Sequence, residues 1–154
     1  MEMNPRILVV VGAALVLGAV NFSILGKERI KSNGEVVYLE LAPLDPRSIM
    51  QGDYMALRFS LARQIEGAVR PLPPEGSFGT VDIALDGKRV GSYASSGGAL
   101  KLRYRVRNGA VWLGTNAFFF EEGTGDRYAR ARYGEFRVDR DSGEAVLVGL
   151  KDSL

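Results

Sequence analysis

From Ile7 to Leu25 the chain is apolar for nineteen residues, broken only by Asn21 and Ser23 and carrying no charge. At 1.5 Å per residue such a helix is about 28 Å long, close to the hydrocarbon thickness of a bilayer. The run therefore predicts a single transmembrane helix, opened by Asn4-Pro5. It exceeds the core of about 7–15 residues usual in a secretory signal, and no Ala-x-Ala cleavage pattern follows it. Lys27, Glu28, Arg29, Ile30 and Lys31 prolong the helix as a charged stalk that Asn33-Gly34 ends. Within the span Ala14 and Gly18 are four apart and Asn21 follows on the same face. Such residues read first as the Ala and Gly common in membrane helices, with Asn21 near the interface, and second as a face on which helices approach closely and share a hydrogen bond.

Beyond Gly34 the pattern changes to short alternating runs. Glu35 to Ala42 and Tyr54 to Leu61 read as strands, and between them Asp45 as N-cap, Pro46 at the first helical position and Gly52 as terminator predict one or two helical turns over Pro46–Gln51. Arg70 to Gly76 is a proline-rich surface loop. Hairpins are predicted at Asp86-Gly87, joining Thr80–Leu85 to Lys88–Ala94, at Asn108-Gly109, and at Arg140 to Gly143. Leu100, Leu102, Tyr104 and Val106 alternate with Lys101, Arg103, Arg105 and Arg107, so one face of that strand belongs to a core and the other is cationic. Ala117–Phe120 reads as a buried strand, Asp126–Tyr133 as a short helix, and Gly134–Asp139 as a strand with Phe136 and Val138 inward. The predicted fold is mainly β, a small antiparallel barrel or sandwich with one or two short helices, preceded by a single transmembrane helix. Residues 1–34 form tail, span and stalk, and 35–154 the β-rich extramembrane domain.

The chain of 154 residues holds neither cysteine nor histidine, which removes Ser-His-Asp and Cys-His catalysis, structural zinc, disulfide-linked partners and a lipoprotein anchor. A net charge of +2 is too small to call for a polyanionic partner. The stripe Lys101, Arg103, Arg105, Arg107 reads first as a solvated strand face whose cations discourage edge-to-edge association, and second as a patch for anionic lipid headgroups or an acidic partner. Nucleic acid is not expected, because no aromatic platform accompanies the charge. Glu121, Glu122 and Asp126 match no calcium-loop spacing, no glycine pattern forms a phosphate loop, and neither metal nor cofactor is expected.

Leu41 to Phe59, L-A-P-L-D-P-R-S-I-M-Q-G-D-Y-M-A-L-R-F, concentrates backbone-controlling and polar residues. Asp53 and Tyr54 read as a turn residue and a half-buried strand aromatic. In a sharper reading Asp45, Arg47, Asp53 and Tyr54, with Glu121 and Glu122, gather at one end of a sheet as a binding site. Arg47 would pair with one carboxylate and leave another for a ligand. A serine hydrolase reading fails on spacing, since Ser48 lies too close to Gly52 and no lysine box follows.

Gly52-Asp53-Tyr54-Met55-Ala56-Leu57-Arg58-Phe59 resembles the motif that names the GDYXXLXY family of bacterial membrane-anchored proteins. The run-in Leu41 to Arg47, Phe118 to Gly123 and Ala131 to Asp139 are similar to that family as well. At Phe59 the motif has tyrosine, so an aromatic packing role is expected there rather than a required hydroxyl. The resemblance implies an exported domain on a short cytoplasmic tail, hence a bacterial inner-membrane protein with a periplasmic C-terminal domain. Lys27, Arg29 and Lys31 taken alone would favour the opposite orientation, but long domains translocate largely regardless of such charge. The expected function is a non-enzymatic module of the cell envelope. It rests in the lipid bilayer and assembles with a polytopic membrane protein or other envelope component. The alternative is a ligand-binding or hydrolytic domain built on the carboxylate and arginine cluster around the motif.

Overall fold

The computed structural model describes residues 5–43, 50–51 and 54–154. Helix α1 runs from Pro5 to Asn33 and buries none of its residues. It stops where the Gly34 N–H donates to the Ile30 carbonyl at 2.7 Å. A Cβ at position 34 would lie 2.5 Å from that carbonyl oxygen and 3.0 Å from the Val138 nitrogen. Only glycine lets the helix end sit so directly on the strand behind it.

The strands are β1 (Glu35–Glu40), β2 (Met50–Gln51), β3 (Tyr54–Ala56), β4 (Phe78–Leu85), β5 (Gly91–Ala94), β6 (Leu100–Arg107), β7 (Ala110–Trp112), β8 (Ala117–Phe119), β9 (Tyr133–Val138) and β10 (Ala145–Lys151), with helix α2 (Ser60–Ala68) after β3. They form three antiparallel sheets of order β1-β9-β10, β2-β3-β8 and β5-β4-β6-β7. A parallel bridge between Tyr38 and Val90 joins the first sheet to the third, and the Leu41–Phe59 bridge ties the end of β1 to the chain after β3.

Alternation explains the shared core. Val37 and Leu39 of β1, Ile83 of β4, Leu102 and Val106 of β6, and Phe136 and Val138 of β9 are all buried in one cluster with Leu61 and Ile65 of α2. β6 follows its pattern throughout, burying Leu100, Leu102, Tyr104 and Val106 and turning its cations outward. At its end Asn108 and Gly109 both adopt positive φ, 53° and 67°, as a tight hairpin turn requires. Helix α2 also closes the third sheet. The Gln64 side-chain oxygen accepts from the Tyr93 N–H of β5, and a Glu66 carboxylate oxygen from the Val111 N–H of β7, each at 2.9 Å. Those two strands are the outer ones of the sheet, so the helix covers edge donors that would otherwise invite another strand.

Several expectations are corrected. The strand expected over Tyr54–Leu61 ends at Ala56, and α2 begins at Ser60. Met50 and Gln51 pair with β3 instead of ending a helix, while residues 44–49 lie outside the described residues. The Asp86-Gly87 connection is wider than two residues. The Asp86 carboxylate accepts the N–H groups of Lys88 and Val90 at 2.9 and 2.8 Å, and Arg89, at φ 64°, completes the turn. No α-helix forms over Asp126–Tyr133: the chain makes a 3₁₀ turn at Gly125–Arg127, and by Arg132 its backbone already bonds to Lys151 and Leu41 at the start of β9. Strand β8 is not buried along its length, and Phe119 is 74% exposed.

Candidate functional site

The second half of the motif is built into the core. Met55, Leu57 and Phe59 are buried, Arg58 points out, and the Leu57 N–H donates to the Asn116 carbonyl at 2.6 Å. Phe59 meets Phe136 edge to face, with centroids 5.2 Å apart. Its packing role is as expected. Tyr54 is half-buried and lies beside Phe119, its register partner on β8, at 5.8 Å between ring centroids.

Asp45, Arg47 and Asp53 lie outside the described residues. Glu121 and Glu122 follow β8 closely, which sets them near the Tyr54 end of β3, and both are exposed. The Glu121 carbonyl accepts the Thr124 N–H and hydroxyl at 3.0 and 2.7 Å, so this residue holds a turn with its backbone. Among the described residues neither glutamate has an ion-pair partner.

The cationic stripe has a setting that its sequence did not disclose. β6 is flanked by β4 and β7, so its cations do not guard a sheet edge. Phe78 and Trp112 stand opposite Arg105 in register, one from each neighbouring strand. The Arg103 guanidinium lies 4.1 Å and that of Arg105 5.2 Å from the Phe78 ring centre, and Arg107 lies 4.8 Å from that of Trp112. The expected lack of an aromatic platform is thereby corrected. Counting outward from the Asn108-Gly109 turn would have set Trp112 opposite Arg105, whereas Phe78 is brought in by a non-local pairing.

Lys27 connects this face to α1. It pairs with Glu144 beside β10 and lines a cleft of about 270 Å³ with Phe78, Arg103, Arg105, Arg107 and Trp112. A second, more open groove that also includes Lys27 is lined by Phe118, Phe119 and Leu147. Lys101 lies outside both. The stalk junction is charged as well. Glu35 accepts from Arg140 and, at 2.8 Å, from Arg89. The Arg140 hydrogen bond foremost, against the opposing effect of burial, holds the Glu35 carboxyl below its ordinary 4.5. Asp139 is held below 3.8 chiefly by the Ser142 hydroxyl and N–H.

On α1 a Cβ at Gly18 would meet nothing within 4 Å, and the Asn21 amide donates to the Leu17 carbonyl at 2.9 Å. The surface carrying Ala14, Gly18 and Asn21 is thus uncovered by the rest of the described chain.

The described residues therefore define one helix long and apolar enough to cross a membrane, followed by antiparallel sheets closed around a single core. The chain belongs to the GDYXXLXY family, whose model, described as GDYXXLXY protein, matches residues 16–150. No curated protein and no solved structure matches the chain.

Proposed function

We propose that the protein is a non-enzymatic module of the bacterial envelope. Helix α1 crosses the inner membrane once, residues 35–154 face the periplasm, and the module assembles with a polytopic membrane protein. One observation carries the reading: α1 buries none of its residues, and beside Lys27, just past the end of its apolar run, a groove leaves Phe119 74% exposed. The small-residue face at Ala14 and Gly18 supports the reading, since helices packed against others use such faces. Lys27, which lines the groove, lies about 180° round α1 from Gly18, so a polytopic partner reaches both surfaces by packing round the helix end. The family resemblance supports export.

Photo-crosslinkers placed at Ala14 and at Phe119, followed by isolation in mild detergent, test the assembly. The expected result is one and the same multi-spanning protein captured from both positions, with capture reduced at least tenfold in Gly18→Leu. Capture of lipid alone, or an unchanged yield in that variant, contradicts it. A reporter fused after Leu154 that is active only in the cytoplasm overturns the orientation and leaves the assembly standing.

A further inference from the structure

We propose that the cleft lined by Lys27, Arg103, Arg105, Arg107, Phe78 and Trp112 docks on anionic lipid headgroups of the leaflet in which α1 ends. The inference rests on α1 spanning the bilayer, and is independent of which protein α1 packs against.

Position is the first argument. Lys27 lies two residues past Leu25, the last of the apolar run, and so about 3 Å further along the helix axis. The polar headgroup layer on each side of a bilayer is about 5–7 Å deep, which puts the Lys27 backbone within it. The cleft that Lys27 shares with the three arginines therefore opens at headgroup depth. The strand is fixed there through a short chain of contacts. Lys27 pairs with Glu144, and the carbonyl of the adjacent Gly143 accepts the Arg103 N–H at 2.8 Å.

Charge and stacking supply the chemistry. Four cations meet one carboxylate in this cleft, that of Glu144, which Lys27 engages. Among the described residues Arg103, Arg105 and Arg107 have no ion-pair partner. Their guanidinium groups lie over Phe78 and Trp112. Ring stacking uses the face of the guanidinium, while its N–H donors lie in the plane and match phosphate oxygens two at a time. Phe78 is 55% exposed, and Trp112 is of the aromatic type enriched at membrane–water interfaces. The combination fits a lipid phosphate with acyl-chain carbons at its edge better than a freely diffusing polyanion, which would have no use for a ring exposed at headgroup depth.

Trp112 is the single tryptophan of the chain and reports on this cleft directly. The full-length protein is reconstituted into nanodiscs of phosphatidylcholine, with or without phosphatidylglycerol, each carrying a lipid with a nitroxide at its headgroup. Docking predicts Trp112 quenching that appears with phosphatidylglycerol and falls as salt is raised. Each cation near an anionic surface contributes about fivefold to the docked-to-free ratio, so Arg105→Gln with Arg107→Gln lowers it about 25-fold. Arg63→Gln, on α2 outside the cleft, leaves it unchanged. Equal quenching in both compositions overturns the proposal in favour of ring burial alone. No lipid quenching, with Trp112 open to aqueous iodide, overturns it in favour of an acidic protein as occupant. The composition and salt comparisons use the unaltered chain, so they decide even if the double variant does not fold. A chain that fails to enter the discs overturns the membrane span together with this proposal, whereas one that enters without docking overturns the proposal alone.

Discussion

Phe59 shows how much a single position of the motif says about its role. A phenol at this site would have to find a partner for its hydroxyl, yet the side chain is 2% exposed and packed on Phe136. Phenylalanine is the apolar solution to the same packing problem. Glu35 and Asp139 show a different kind of residue effect, at the junction of α1 with the sheet. Both carboxyls are held below their ordinary values, 4.5 and 3.8, so the unfolded chain binds more protons than the folded one as pH falls. Their contribution to stability is complete above those values and drains away as pH drops through the lower folded ones. Thermal unfolding followed across that acid range is expected to show a melting temperature that falls with pH. Glu35→Gln combined with Asp139→Asn should start lower at neutral pH and fall less steeply; an unchanged slope would mean that these carboxylates are not the groups responsible.

At the scale of elements, the fold was legible where period and turn chemistry agreed. β6 announced itself because four apolar positions alternate with four cations, and the structure buries each of the four. The Asn108-Gly109 turn was legible because both residues tolerate positive φ. Helix α2 was missed because it starts directly after a strand-like run and its N-cap, Phe59, makes no side-chain capping bond. The available signal was the apolar spacing of Leu61, Ala62 and Ile65 among good helix formers. Conversely, the helix expected over Asp126–Tyr133 is replaced by a 3₁₀ turn at Gly125–Arg127, and Arg132 and Tyr133 are already bonded to the neighbouring strands. Of the candidate site, the cations could be read locally, but Phe78 enters through pairing with β4, which no local pattern encodes.

The edge bonds from α2 give a prediction at this same scale. Gln64 and Glu66 satisfy backbone N–H groups on the two outer strands of the sheet. Leaving such a donor unpaired costs about 1–3 kcal/mol when it is shielded from water, and less where water can replace the lost partner. Glu66→Ala, which acts on the part-buried Val111 N–H, should therefore destabilise by about 1–2 kcal/mol and speed hydrogen exchange at Val111. Gln64→Ala acts at an exposed bond and should cost less. Equal, negligible effects in chemical denaturation would show that the helix covers the sheet without capping it.

The whole molecule joins two parts with opposite surface habits. The β-structured part buries most of its apolar residues in a single cluster, leaving Phe78 and Phe119 outside it, while α1 displays Ile7, Leu8, Val9, Leu15, Phe22 and Leu25 among others to its surroundings. In water such a helix would be a large exposed apolar surface of the kind that marks a membrane or an interface. Gly34 and the Lys27–Glu144 pair tie the two parts together, and the outward arginines and the exposed Phe119 both lie beside Lys27, near the end of the apolar run. That arrangement underlies both the proposed assembly and the headgroup-docking surface. Its most direct test is extraction of membranes that contain the full-length chain with alkaline carbonate. A spanning α1 predicts that the protein stays in the membrane pellet and is released only by detergent. Release into the carbonate supernatant would contradict the account.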